Sequence, residues 1–291
     1  MPGVVPSSEG ARTVTAVVLA AAMLHAVWNA LAHGMKDKLV AFTLINLAYT
    51  GCAAVMVCLT PVPNAAAWPF IAASAVLQVG YQVLLLRSYQ LGDFGQMYPV
   101  ARGASPLLVA VLSVTVLDRS LPPEDVVGVV VISCGLAGLA LADGIPGRAQ
   151  LPALAAALGT GAMIALYTVV DGTGVRQSET VAGYIARMFL CQGPILPLIA
   201  WMRRGRSLID QVRPVYGRGL AGGVLSLLAY GLVVWAQSRG DLATVAALRE
   251  TSIVVAALIG TLIFRERFGV LRVTAAVTVL AGIAVLELAH G

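Results

Sequence analysis

Ten apolar stretches follow one another from residue 14 to residue 288, each near the roughly 20 residues that a helix needs to cross a hydrocarbon core of about 30 Å. Charge, proline and glycine clusters divide them into spans near 14–33, 39–60, 68–89, 94–117 and 124–142, then 150–171, 179–201, 215–237, 241–264 and 270–288. The longest connection, Met202 to Pro214, holds Arg203, Arg204, Arg206 and Arg213, so no soluble domain fits between spans. Charged residues are 11% of the 291, against about a quarter in soluble domains. A bilayer therefore has to solvate most of the surface, and the expected fold class is an all-α membrane protein of about ten transmembrane helices.

The excess of Lys and Arg over acids, +5, lies mostly in the short connections, where it reports topology rather than nucleic-acid binding. One side receives Arg12, Arg119, Arg176 and Arg239; the other receives twelve cations, among them Lys36, Lys38, Arg148, the cluster at 203–213 and Arg265, Arg267 and Arg272. Four against twelve points the second side to the cytoplasm and both termini outward. Cys52, Cys58, Cys134 and Cys191 lie inside apolar spans without metal-ligand spacing and read as packing residues. Residues 14–32 follow Arg12 as a signal peptide would, but His25, Trp28 and Asn29 within them suit a retained helix.

The chain repeats itself. Gly92-Asp93 answers Gly240-Asp241, Arg102-Gly-Ala-Ser105 answers Arg249-Glu-Thr-Ser252, Asp118-Arg119 answers Glu266-Arg267, and Gly135 answers Gly282, at offsets of 147 or 148 residues. The expected organisation is a tail at 1–13, a first five-helix repeat at 14–142, a linker at 143–149 and a second repeat at 150–288. Five spans per half is an odd number, so equivalent halves enter the membrane from opposite sides as an inverted repeat, the architecture of carriers that expose a midplane site to each side in turn.

The segment His25-Ala-Val-Trp28-Asn29-Ala-Leu, the acidic-basic pairs Asp118-Arg119 and Glu266-Arg267, and the glycine-bearing spans Gly135-Leu-Ala-Gly-Leu-Ala-Leu141 and Leu-Ala-Gly282-Ile-Ala-Val-Leu together resemble the EamA family of the drug/metabolite transporter superfamily. The likeness covers about residues 14–288. It implies a ten-helix inverted repeat with spans one to four and six to nine around a central cavity and spans five and ten outside. It also implies a multi-pass protein of the bacterial inner-membrane type, an exporter or permease of amino acids and other metabolites with export the expected direction, and termini usually drawn in the cytoplasm. No enzymatic activity, cofactor, metal or nucleic-acid partner is expected; the partners are a small-molecule substrate, the lipid bilayer and, as an open option, a second copy of the chain.

Charges inside spans mark the candidate site, because one at the bilayer centre costs at least about 2.5–3.5 kcal/mol and so faces a cavity or a partner. Arg102, Arg187 and Arg249 are such residues, and Glu250 is the acid read as deep in a span, whereas Asp143 and Asp171 read as solvated loop-edge residues. Arg102 lies among Gln96, Tyr98, Pro99, Gly103, Ser105 and Pro106, where the prolines remove backbone donors and are expected to break the helix. It either clamps a carboxylate or phosphoryl group through its planar fork or ties the bundle to a carbonyl or acid. Glu250 is a proton-coupling candidate or a structural counter-ion, and as the neighbour of Arg249 it is expected to project about 100° away from it.

His25, Trp28 and Asn29 share one helix face, as do Gln78, Tyr81 and Gln82; such stripes line a hydrated pocket or glue helices through hydrogen bonds worth about 0.6 kcal/mol each. Tyr167, Thr168, Tyr184, Arg187, Gln192 and Tyr230 are candidates from the second half. The expected mechanism is a gradient-driven carrier, since no Walker loop is present. A small zwitterion or anion is read by Arg102 or Arg249 and stacked on Trp28 and Tyr81. The competing classes are a channel-like or accessory membrane protein and an efflux pump for lipophilic cations.

Overall fold

The computed structural model describes residues 8–92, 94–118, 120–141, 144, 147–255 and 270–290. Among these every regular element is a helix, as a medium that cannot hydrogen-bond an open backbone requires. The first half comprises α1 (Ser8–His33), α2 (Lys38–Leu59), α3 (Trp68–Leu91), α4 (Phe94–Thr115) and α5 (Pro123–Ala140). The second begins with α6 (Leu151–Gln177), α7 (Val181–Gln192), α8 (Ile195–Arg204) and the short α9 (Ser207–Val212). It continues with α10 (Tyr216–Gln237), α11 (Leu242–Arg249) and α12 (Val270–His290). Among the described residues, eight segments are long and apolar enough to cross a bilayer. The expected pairs Asp118-Arg119 and Glu266-Arg267, and Asp143, fall partly or wholly outside the described residues.

Three local expectations are corrected. The span expected at 179–201 is two helices, because Pro194 has no N–H to continue the ladder of α7; at the bend Gly193 lets α7 meet α2 so closely that a Cβ there would lie 1.9 Å from Thr50 Oγ1. The proline-bearing α4 is one helix, carrying Pro99 and Pro106 inside it. The interruption falls instead in the equivalent region of the second half, at Glu250, whose N–H bonds Ala247 O at 3.0 Å in a tightened turn before helix resumes over 251–255. Third, Asp171 is not at a loop edge: α6 runs on to Gln177, and Asp171 is wholly buried.

The helices pack in matched pairs: α3 on α6 and α10 on α1, α4 on α6 and α11 on α1, α2 on α10 and α7 on α3. Helices α5 and α12 pack on each other through glycines. A Cβ at Gly135 would lie 2.9 Å from Val279 Cγ2 and 3.1 Å from Ala275 O, and one at Gly282 would lie 2.6 Å from Ile132 Cγ1 and 3.0 Å from Gly128 O. Backbone atoms cannot yield as a side-chain tip can, so Gly282→Val is expected to destabilise by about 1–3 kcal/mol, read as a lower unfolding temperature in detergent; an unchanged temperature contradicts this packing.

Polar ties gather the connections at two ends. At one end Arg204 donates to Asp37 Oδ2 at 2.6 Å, while Asp37 Oδ1 caps α2 by accepting from Leu39 N and Val40 N. At the other, Asn64 donates to Glu179 Oε1 at 3.1 Å and Arg176 to Gly240 O at 2.6 Å. Partial burial pushes the Asp37 carboxyl up, but the Arg204 hydrogen bond and the capped amides outweigh it and hold the group below its usual range. The depressed value means that this tie is present at neutral pH and is lost as pH falls below about 4. Both partners are partly exposed (26% and 43%), so Asp37→Asn, which keeps the cap, is expected to cost under about 1 kcal/mol, and Asp37→Ala about 1 kcal/mol more.

Candidate binding cavity

Inside the bundle lies a cavity of about 60 Å³, room for a few waters. Both halves line it. Helix α1 contributes His25, Trp28 and Asn29, α3 contributes Gln78, Tyr81 and Gln82, and α4 contributes Tyr98 and Arg102. From the second half come Tyr167 of α6, Gln192 of α7, Tyr230 of α10 and Arg249 of α11. The two polar stripes of α1 and α3 therefore face one space, as their helical spacing implies.

Two guanidinium groups define its cationic region. Arg102 Nε donates to Glu250 Oε2 at 2.6 Å, its Nη2 donates to Ser252 Oγ at 3.2 Å, and its guanidinium carbon lies 5.9 Å from the centre of the Tyr98 ring. Arg249 is held more loosely: Nε and Nη2 both stand 3.4 Å from Glu250 Oε1, and Nη2 stands 3.5 Å from Ser105 Oγ. Glu250 thus offers one oxygen to each arginine. The expectation that neighbours Arg249 and Glu250 point apart is overturned by the tightened turn at Glu250, which is not the straight helix that the 100° rule assumes. Arg102 is 6% exposed, Arg249 1% and Glu250 0%; two buried cations share one anion.

On the α1 wall, His25 Nδ1 accepts from Trp28 Nε1 at 2.9 Å, so the neutral ring carries its proton on Nε2, which has no partner. Asn29 donates to His25 O at 2.7 Å. A ladder of tilted rings crosses the cavity, with Tyr81 to Tyr167 centroids at 5.8 Å, Tyr167 to Tyr230 at 5.7 Å and Phe189 to Tyr230 at 6.2 Å, all near edge-to-face. An amide region completes the lining: Asn46 donates to Gln82 Oε1 at 2.8 Å, Tyr49 donates to Asn46 Oδ1, and Gln192 Oε1 has no partner.

Not every expected residue reaches this space. Arg187 donates to Thr60 Oγ1 (3.2 Å), Gly183 O (3.2 Å) and Thr60 O (3.3 Å), so it ties α7 to the end of α2 and is not part of the lining. Ser105 stands behind Arg249, and Thr168 bonds its own helix at Ile164 O. Glu250 braces the arginines rather than lining the cavity. Sequence reading missed Phe42, Ile45, Asn46, Tyr49, Phe189 and Ser226, all in the lining; Asn46 and Tyr49, spaced i and i+3 in an apolar span, carried the signal. It also dismissed Asp171, which accepts from Tyr230 Oη (2.6 Å), Tyr184 Oη (2.9 Å) and Gln78 Nε2 (3.3 Å).

A multi-pass helical bundle that encloses a polar, aromatic and cationic cavity between its halves is the form of a membrane transporter. Residues 151–288 match the EamA-like transporter family, within the drug/metabolite transporter superfamily. A solved structure titled "Crystal structure of protein" shares its fold, with a TM-score of 0.76 and 18% identity, covering 95% of this chain and 99% of that one. No curated protein matches it.

Proposed function

We propose that this transporter moves a small polar metabolite with an anionic group, such as an amino acid or organic anion, by alternating access of two inverted five-helix repeats, 14–142 and 150–288. The observation that carries the reading is a reciprocal contact. Arg102 reaches Ser252 while Arg249 reaches Ser105, and each residue is the other's equivalent at the offset of 147. Gly135 against Val279 and Gly282 against Ile132 repeat the pattern at the same offset. Residue i meeting j while j's equivalent meets i's is the mark of a two-fold arrangement, and the matched helix pairs agree with it.

Within the cavity the anionic group falls to Arg249, because its contacts at 3.4–3.5 Å are long enough to be exchanged for a better acceptor, whereas Arg102 is held at 2.6 Å by Glu250. The unpartnered His25 Nε2 and Gln192 Oε1 offer a donor and an acceptor to the rest of the molecule, and the ring ladder offers stacking faces. Rocking of the halves then opens the cavity to either side; net export across a bacterial inner membrane is the direction the family resemblance implies. The test is thermal stabilisation of purified protein by amino acids, organic acids, phosphonates, purines and cationic drugs, since a ligand at a hundred times its Kd adds about 2.7 kcal/mol. Hits among anions or zwitterions support the reading; hits confined to lipophilic cations overturn it.

A further inference from the structure

The bundle buries a second carboxylate near the cavity. Asp171 on α6 is 0% exposed, and among the described residues no ion pair includes it. Its oxygens are met by neutral donors: Tyr230 Oη at 2.6 Å and Gln78 Nε2 at 3.3 Å on Oδ2, Tyr184 Oη at 2.9 Å on Oδ1, and the Ser74 hydroxyl. Of the charged groups on the elements packed against α6, Arg187 of α7 is engaged with Thr60, Arg102 of α4 and Arg249 of α11 with Glu250, and Arg176 of α6 itself with Gly240 O, while Arg87 of α3 and Arg218 of α10 lie more than two helical turns along their helices from Gln78 and Tyr230, which bond Asp171. The titratable groups that face it are Tyr184, Tyr230 and, one turn back, Tyr167. A carboxylate in a membrane span without a counter-ion is costly to keep charged and marks a functional position. Glu250, clasped by two guanidinium groups, is the opposite case.

We propose that Asp171, not Glu250, is the residue that binds and releases the coupling proton of this transporter, with Tyr230 as its connection to the cavity. This rests on the transport reading above. Tyr230 and Gln78 both border the cavity and both bond Oδ2. A hydronium in the cavity gives a proton to the Tyr230 oxygen as the phenol's own proton passes to Oδ2; water is left behind, the phenol is unchanged and the carboxylate becomes a neutral acid. Release to the other side reverses these steps. Once Oδ2 carries a proton it donates to the Tyr230 oxygen, so the phenol's own O–H is freed toward the cavity and Gln78 loses its charged acceptor. Protonation is thereby reported to the wall that touches substrate.

The test has an infrared arm and a flux arm. In the full-length protein in nanodiscs, titration between about pH 5 and 9 is expected to raise a protonated-carboxyl C=O band that is absent in Asp171→Asn and retained in Glu250→Gln. No such band in the wild type, or one lost in Glu250→Gln and kept in Asp171→Asn, overturns the proposal. Tyr230→Phe removes a hydrogen bond to the charged form and is expected to move the midpoint up by about one pH unit, tenfold in proton affinity; an unmoved midpoint removes Tyr230 from the path. That variant keeps the test open where Asp171→Asn does not fold. In proteoliposomes, labelled L-alanine, L-threonine or 2-aminoethylphosphonate driven by a pH gradient is expected to lose at least tenfold of its accumulation in Asp171→Asn while counterflow persists, and accumulation that still follows the gradient overturns the proposal. If the wild type moves none of these probes, the transport reading fails, and the infrared arm alone decides where the proton sits.

Discussion

Arg102→Ala is expected to cost about 3–5 kcal/mol of stability, the loss typical when one member of a buried ion pair is removed. The substitution deletes the 2.6 Å partner of Glu250 and leaves a carboxylate with 0% exposure facing only Arg249 at 3.4 Å. It also frees Ser252 Oγ and opens space beside Tyr98. Arg102→Lys does not restore the site, because an ammonium cannot spread its donors over Glu250 and Ser252 as the planar fork does. Chemical or thermal unfolding in detergent measures the effect; a variant within about 1 kcal/mol of the wild type contradicts the bracing role given to Arg102.

Arg249→Ala is expected to do the reverse: modest loss of stability and a fall of roughly 30-fold or more in affinity for an anionic ligand, from about 2 kcal/mol or more for truncating one side of a buried charge pair. Its present hydrogen bonds are long, so little is lost in the empty protein, and Glu250 keeps its short bond to Arg102. The difference between two residues that occupy equivalent places in the repeat has one source. The position equivalent to Glu250 in the first half is Gly103, so the single acid breaks the symmetry and holds Arg102 at 2.6 Å but Arg249 only at 3.4 Å. Isothermal titration with the stabilising compound distinguishes the pair: equal losses of affinity in Arg102→Ala and Arg249→Ala, both folded, contradict this division of roles.

The membrane-spanning character was legible because apolar runs of fixed length are a local signal, and eight of them are spanning segments among the described residues. The stripes His25-Trp28-Asn29 and Gln78-Tyr81-Gln82 were legible for the same reason, since helical spacing alone puts their members on one face. What escaped depended on partners far away in the chain. Asp171-Gly172 reads as a break, but Gly172 is there because a Cβ would lie 2.4 Å from Leu242 Cδ2, and the helix runs through it. Glu250 sits next to Arg249 in sequence, yet its shortest bond is to a residue 148 positions earlier. Arg187 was indistinguishable from the cavity arginines until Thr60 was seen to receive it. In α4 the prolines predicted a break, but helix packing against α5, α6 and α11 holds the chain helical through them.

The central claim, that two inverted halves alternate around a cavity that binds an anionic metabolite, is tested most directly by counterflow. Proteoliposomes preloaded with the unlabelled stabilising compound and diluted into a trace of labelled compound are predicted to accumulate label transiently above its equilibrium level, with saturation and with loss of the overshoot in Arg249→Ala. Flux that rises linearly with concentration, shows no overshoot and is indifferent to Arg249 contradicts the account and describes a channel instead.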